Sequence, residues 1–145
     1  MSTQAWAAQG TILAYSTNSG STYTTLGEVL NIAGAGGGEV GERDTTVLTS
    51  TVHTNAPTIP DNGEVTFSLN WDPTDAGHQQ IRAWKDTPPA TTAIPLWKVT
   101  YNTTAANTDV FSAWVKGLDG VNAEGVDENI TADVTLRVTG AVTHT

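Results

Sequence analysis

Glu64-Val65-Thr66-Phe67-Ser68-Leu69-Asn70-Trp71 is the stretch on which the fold turns. Successive side chains of an extended chain point to opposite sides, so Val65, Phe67, Leu69 and Trp71 share one face and Glu64, Thr66, Ser68 and Asn70 the other. One face is apolar enough to be core, and the other is wholly polar. The period then changes. Asp72-Pro73-Thr74-Asp75 reads as a helix start, with Asp72 as N-cap, Pro73 at the first helical position and Asp75 complementing the positive end of the helix dipole. Gly77, Ile81 and Trp84 share a stripe, so one helix reaching about Lys85 is expected to pack an edge on a sheet and to end before Pro88-Pro89.

The same alternation recurs on both sides of this stretch. Gly10 to Ser16 reads as a first strand. Thr24 to Ala33 contains a second, with Leu30 and Ile32 on one face, stopping at the glycine cluster Gly34-Ala35-Gly36-Gly37-Gly38. Ile94 to Asn102 and Asp109 to Lys116 form a hairpin across the turn Thr103 to Asn107. Gly117 to Glu128 is rich in glycine and acid, with a short strand near Val121. Asn129 to Thr139 closes the chain with Ile130, Ala132, Val134, Leu136 and Val138 inward and Thr131, Asp133 and Thr135 outward. The expected fold is mainly β (α+β): an antiparallel two-sheet sandwich or barrel with one flanking helix. It is expected as a single domain over residues 1–145, with an N-terminal arm 1–9 and a long loop 34–62. That loop is polar, Thr-rich and broken by Pro57 and Pro60. Loops of this length are usually functional, and some strand character is expected around Thr45 to Leu48.

Composition removes several function classes. The 145 residues carry 15 acidic and 6 basic side chains, a formal charge of −9. Sequence-independent affinity for nucleic acid comes from Lys and Arg neutralising phosphates, so this chain is not built to grip DNA. Without cysteine it has no disulfide, thiolate metal site or cysteine nucleophile. No stretch approaches the roughly 20 apolar residues that cross a bilayer, and no membrane partner is expected. Charged residues make up 14%. Lone monomers normally stay apart by charge, so a β-rich surface this sparsely charged points to association.

Organised catalytic chemistry is not visible, and neither an enzyme activity nor a cofactor is expected. Gly36-x-Gly38-x-x-Gly41 follows a strand as a dinucleotide fingerprint would. The next residues, Glu42-Arg43-Asp44-Thr45-Thr46-Val47, lack helical period and set two acids where a pyrophosphate would sit. His53, His78 and His144 are not at ligand spacing, so no metal is expected. Carboxylate pairs such as Asp127-Glu128 and Asp72-Asp75 read as solvated acids and a helix cap. Among the five tryptophans, Trp71, Trp84, Trp97 and Trp114 fall at apolar or helix-edge positions, and core packing outweighs a sugar-binding platform. Trp6 lies in a polar N-terminal arm without a core of its own and reads as an anchor for another subunit.

Several segments together resemble a known family. Asp61 to Pro73, Gly77-His78-Gln79-Gln80-Ile81-Arg82-Ala83-Trp84, Asp109-Val110-Phe111-Ser112-Ala113-Trp114-Val115 and Val134 to Thr143 are similar, in order and spacing, to the tail tube (major tail) proteins of long, flexible-tailed bacteriophages. Gly10-Thr11-Ile12-Leu13 and Tyr23 to Val29 resemble that family's first two strands. The resemblance implies a virion structural protein that forms hexameric rings, stacked into the tube through which DNA is ejected into the host. It implies as partners further copies of the chain, a tape-measure protein, and tail terminator and tail tip proteins. Double-stranded DNA would pass without sticking. Assembly in the bacterial cytoplasm and residence in the virion tail follow. In this frame Glu64, Thr66, Ser68, Asn70, Thr131, Asp133 and Thr135 are candidates for the channel lining, although Arg137 shares their row. Glu42, Arg43, Asp44, Thr46, Val47, Leu48, Thr51, His53, Pro57 and Pro60 are candidates for a loop joining successive rings, and Trp6 for an inter-subunit arm. The alternatives are another protein of the same tube fold, such as a secretion-system tube or distal tail component, and a carbohydrate-binding β-sandwich module.

Overall fold

Nine strands and one helix make up the fold in the computed structural model, which describes residues 9–49, 51–122 and 129–145. In chain order they are β1 (Ile12–Ser16), β2 (Thr24–Thr25), β3 (Val29–Ala33), β4 (Glu39–Asp44), β5 (Asn55–Asp61), β6 (Glu64–Asn70), α1 (Ala76–Asp86), β7 (Leu96–Thr100), β8 (Thr108–Asn122) and β9 (Thr131–His144). Seven strands form one antiparallel sheet in the order β2-β1-β7-β8-β9-β6-β3, and β4 and β5 form a separate two-stranded ribbon.

The large sheet is strongly curled. β6 and β7 are separated by two strands, yet the rings of Phe67 and Trp97 lie 6.1 Å apart across the interior. The curl encloses Val65, Phe67 and Leu69 of β6, Val134, Leu136 and Val138 of β9, Phe111 and Val115 of β8 and Trp97 and Val99 of β7, all buried. Helix α1 closes this interior with Ile81 and Trp84. Trp84 packs edge-on against Tyr15 at 5.3 Å and against Trp97 at 5.8 Å. Side chains of this size each contribute roughly 1.5–3 kcal/mol on burial, so this apolar cluster dominates the stability.

Several local readings need correction. The helix begins at Ala76 with Asp75 as its N-cap, whose carboxylate accepts from the Gly77 and His78 amides. Asp72 instead folds an Asx turn, its Oδ1 accepting from the Thr74 amide at 2.9 Å and hydroxyl at 2.6 Å. This local hydrogen bonding takes the Asp-Pro-Thr segment out of the helix. Leu30 and Ile32 do not share a face. A bulge between Val29 and Asn31 shifts the register, so Val29 and Ile32 pack on the core while Leu30 stays 54% exposed. Ile130 precedes β9 and is exposed, although its carbonyl accepts from the Trp71 amide at 2.7 Å. Trp114 is half-buried on the face opposite Ala113 and Val115 and is not part of the core.

Polar residues complete the packing. His78 is fully buried and stacks on Trp71. Its Nδ1 accepts from the Asp72 amide at 2.9 Å, and its Nε2 lies 2.9 Å from the Gly27 carbonyl, which together require the Nε2-protonated neutral ring. His144 is the last residue of β9, with Nδ1 2.5 Å from Asp109 Oδ1. Tyr101 donates to the other oxygen of that carboxylate at 2.5 Å. Burial, reinforced by this bond, pushes the Tyr101 hydroxyl up to about 12.

Candidate functional site: a polar sheet face and a projecting ribbon

Cross-strand pairing assembles the polar residues into one surface. In the β6–β9 register Glu64 lies opposite Arg137, Thr66 opposite Thr135, Ser68 opposite Asp133 and Asn70 opposite Thr131. The structure thus places Glu64, Thr66, Ser68, Asn70, Thr131, Asp133 and Thr135 together on the face turned away from the core. Ser68 Oγ donates to Asp133 Oδ1 at 2.5 Å, and Asn70 Nδ2 reaches Glu28 Oε2 at 3.3 Å.

Strand β8 extends this surface with residues that alternation within Asp109 to Lys116 leaves unassigned. Trp114 lies opposite Arg137, Gly117 opposite Thr135 and Asp119 opposite Asp133. The register shift between Val115 and Gly117 explains why a single period does not carry through the strand. Lys116, beside that shift, pairs with Glu64. Arg137 directs Nη2 onto both oxygens of Asp61, at 2.9 and 2.8 Å. That hydrogen bond holds the Asp61 carboxyl below its ordinary range, aided by the Gly63 amide. The two cations on the β8 and β9 part of the face, Lys116 and Arg137, are therefore matched by acids, while Lys98 on the same side of β7 lies over the Tyr23 ring. Asp119 and Asp133 enter no salt bridge among the described residues, so the uncompensated charge of the β6, β8 and β9 part of this surface is negative.

The second feature is the ribbon. Expected as a loop with strand character at Thr45 to Leu48, the segment instead pairs β4 with β5 from Glu39↔Asp61 to Asp44↔Asn55. Pro57 and Pro60 are accommodated because β5 is a border strand whose second side needs no amide donors. Glu42, Arg43 and Asp44 lie on β4, Pro57 and Pro60 on β5, and Thr46, Val47, Leu48, Thr51 and His53 in the connection. All are exposed except half-buried Thr46. Thr46 pins the connection: its Oγ1 accepts from the Thr54 amide at 2.9 Å while its own amide donates to Asp44 Oδ1 at 2.8 Å. Val47, Leu48, Val52 and Ile59 stand exposed on this ribbon, with no packing of their own in the fold. Glycines make its stem. A Cβ on Gly34 (φ +85°) would lie 2.4 Å from the Glu64 carbonyl oxygen, and one on Gly38 (φ +142°) 2.3 Å from that of Asp61. The glycine fingerprint thus serves close backbone approach into a strand, and no helix N-terminus follows it to receive a phosphate.

Trp6, the candidate arm anchor, lies outside the described residues. Trp71, Trp84 and Trp97 are buried, which removes them from any sugar-binding platform. Among the described residues, no group of three His, Cys, Asp or Glu is placed to hold a metal ion, and no helix is long and apolar enough to cross a membrane.

The family described as lambda phage tail tube protein (TTP) matches residues 5–145. No curated protein sequence matches the chain significantly. Solved structures share the fold at low identity. A chain of the tail of an empty gene transfer agent particle with C6 symmetry superposes with TM-score 0.70 at 10% identity, covering 97% of this chain and 99% of that one. The SPP1 tail tube gives TM-score 0.67 at 12% identity, covering 97% and 78%. A chain from the sheath/tube terminator of an extracellular contractile injection system in its extended state gives 0.73 at 9% identity, covering 99% and 98%.

Proposed function

The chain belongs to the lambda phage tail tube protein family, structural components of the virion tail tube, and we propose from that membership that six copies close into a ring whose lumen is lined by the β6–β8–β9 polar face. The observation that carries this reading is the two-sided character of the large sheet: one face is the core, while the other carries the polar rows of β6, β8 and β9, and among the described residues the sheet ends in two strands with free edges, β2 and β3. Exposed sheet borders invite pairing, and closure among identical copies removes them. The C6 symmetry of the structurally similar gene transfer agent tail supports six as the number.

Rings then stack through the β4–β5 ribbon. Its exposed Val47, Leu48, Val52 and Ile59 gain packing only by docking on another copy, and the ribbon buries little against its own sheet. The tube forms around a tape-measure protein in the bacterial cytoplasm, is closed by terminator and tip proteins, and conducts double-stranded DNA. Asp119 and Asp133, repeated around each ring, present a field of the same sign as the phosphates, so the polymer slides without adhering.

Electron microscopy of purified protein tests the assembly reading. Wild-type chain at high concentration should give hollow tubes or rings. Deletion of residues 46–53 should give folded monomers that do not stack, because the deletion removes the ribbon tip and leaves the core intact. Tubes formed by the deletion variant would remove the ribbon from the stacking contact.

A further inference from the structure

Both legs of the β4–β5 ribbon rest on the last part of β9. On the outgoing leg, Gly36 (φ +74°) lies so near that a Cβ there would sit 3.0 Å from Asp109 Oδ2 and 3.6 Å from His144 Cε1. On the returning leg, Asn62 Nδ2 donates to the Gly140 carbonyl at 2.6 Å, and Asp61 is held by Arg137. Farther out a cleft of about 800 Å³ lies between ribbon and strand, with Ile59 and Pro60 on one wall and Ala141, Val142 and His144 on the other. The direction in which the ribbon leaves the sheet is therefore set at its stem.

That last part of β9 is kinked away from the rest of the strand. Ser112 pairs with Thr139 and Val110 with Thr143, so two steps along β8 span four along β9, and Gly140 takes φ +81° within the excess. Beyond the kink Asp109 lies opposite His144, and Thr108 exchanges both backbone hydrogen bonds with Thr145, at 2.9 and 3.1 Å. Asp109 ties this segment to the interior. It is only 7% exposed, and both carboxylate oxygens are engaged: Tyr101 Oη donates to Oδ2, and His144 Nδ1 lies on Oδ1, each at 2.5 Å. Tyr101 directly follows β7, so the ends of three strands and the ribbon's outgoing leg converge on one group. A buried carboxylate that loses a partner bears a desolvation cost larger than an ordinary hydrogen bond returns, so these contacts are kept or given up together.

We infer that Asp109 is a clasp joining the end of β9 to the ribbon stem. While His144 holds it, the ribbon of the free subunit leaves the sheet in one fixed direction. Release of His144 frees β9 beyond Gly140, and the ribbon then swings about its glycine stem. The clasp is a property of the single chain and holds whether or not rings form. Where rings do stack through the ribbon, it presents that ribbon already oriented and so lowers the ordering cost of docking.

The absence of cysteine allows spin labels to be placed in chosen pairs. In the dilute full-length protein, Glu42→Cys on β4 with Lys85→Cys on α1 reports the direction of the ribbon by pulsed electron spin resonance, and Thr135→Cys with Lys85→Cys reports the sheet. The ribbon pair should give a single narrow distance distribution. His144→Ala should widen it about twofold, as loss of one partner of a coupled contact requires, and leave the sheet pair unchanged. His144→Asn, whose amide nitrogen can replace Nδ1, should keep it narrow. Gly36→Ala wedges the same contact from the ribbon side and should add no further width to that of His144→Ala. The inference is overturned if the parent distribution is already as wide, if His144→Ala leaves it unchanged, or if His144→Asn widens it equally. Additive widening by Gly36→Ala would separate the two contacts, and widening of the sheet pair would mean a loosened fold in place of a released ribbon; either result also overturns it.

Discussion

Asp119 of β8 stands directly opposite Asp133 of β9, two carboxylates on adjacent strands of one face. Like charges so placed oppose folding, and the hydrogen bond that Asp133 accepts from the Ser68 hydroxyl offsets this on one side of the pair. Their arrangement makes sense if that surface faces a polyanion.

This relationship gives the first prediction. Asp119→Asn relieves the repulsion and should stabilise the monomer by about 0.5 kcal/mol, within the range of cross-strand pair effects. Urea denaturation measures it, and an unchanged or lowered midpoint would show that the two carboxylates are already accommodated. In assembled tails the same substitution, combined with Asp133→Asn, should slow DNA ejection while leaving tube length unaltered.

Arg137 and Asp61 tie the polar face to the ribbon stem. The Asp61 carboxyl lies below its ordinary range in the folded chain, chiefly through the Arg137 hydrogen bond. A depressed carboxyl contributes stability that is present above its unfolded value, about 3.9, and is lost as pH falls through the folded value. Protection of the Glu39 and Gly63 amides, measured against their intrinsic exchange rates, should therefore fall below about pH 4 while core amides stay protected. Asp61→Asn should show the same lowered protection already at neutral pH.

Gly38→Ala places a methyl group 2.3 Å from the Asp61 carbonyl oxygen at a backbone conformation that alanine rarely adopts. Strain of this kind costs about 1–3 kcal/mol. Because the ribbon packs little on the core, the cost should appear as lost protection in β4 and β5, with the main thermal transition nearly unmoved.

His78 holds two backbone groups, the Asp72 amide and the Gly27 carbonyl, inside the apolar interior. His78→Leu fills similar space but leaves both unpaired, at about 1–3 kcal/mol each. Chemical denaturation should show a loss of at least about 2 kcal/mol. A neutral substitution would mean that water reaches these groups.

Tyr101 is held neutral by burial and its bond to Asp109, with its ionisation near 12. A raised value in the folded chain means stability that is intact below the unfolded value, near 10, and lost as pH rises through the folded one. Ultraviolet titration should show a tyrosinate component near pH 12 that disappears in Tyr101→Phe.

Alternation made much of the fold legible in the sequence. Val65, Phe67 and Leu69, with Ala132, Val134, Leu136 and Val138, are core as their period implies, and the stripe Gly77, Ile81 and Trp84 is the buried side of α1. Alternation fails where the register slips. The bulges beside Leu30 and Lys116 are each one residue long, and a single inserted residue reverses every later side chain without any mark in composition. The helix start was obscured for another reason: Asp72 and Asp75 are both competent caps, and only the hydrogen bonds of Asp72 to Thr74 show which one the chain uses. The polar ribbon has no apolar period to read, because its strands pair with each other and bury almost nothing. The seven polar residues of β6 and β9 were readable as rows, but the pairing that makes them one surface depends on two strands far apart in sequence.

We propose above that the face carrying Thr66, Ser68, Thr135 and Asp133 is the wall of the tube. A helical reconstruction of assembled tubes by cryo-electron microscopy tests it directly. The expected result is a ring of six subunits with these side chains pointing into an open channel and the β4–β5 ribbon reaching the adjacent ring. Finding this face on the outer surface of the tube, or packed against another subunit with the helix α1 side turned inward, would contradict it.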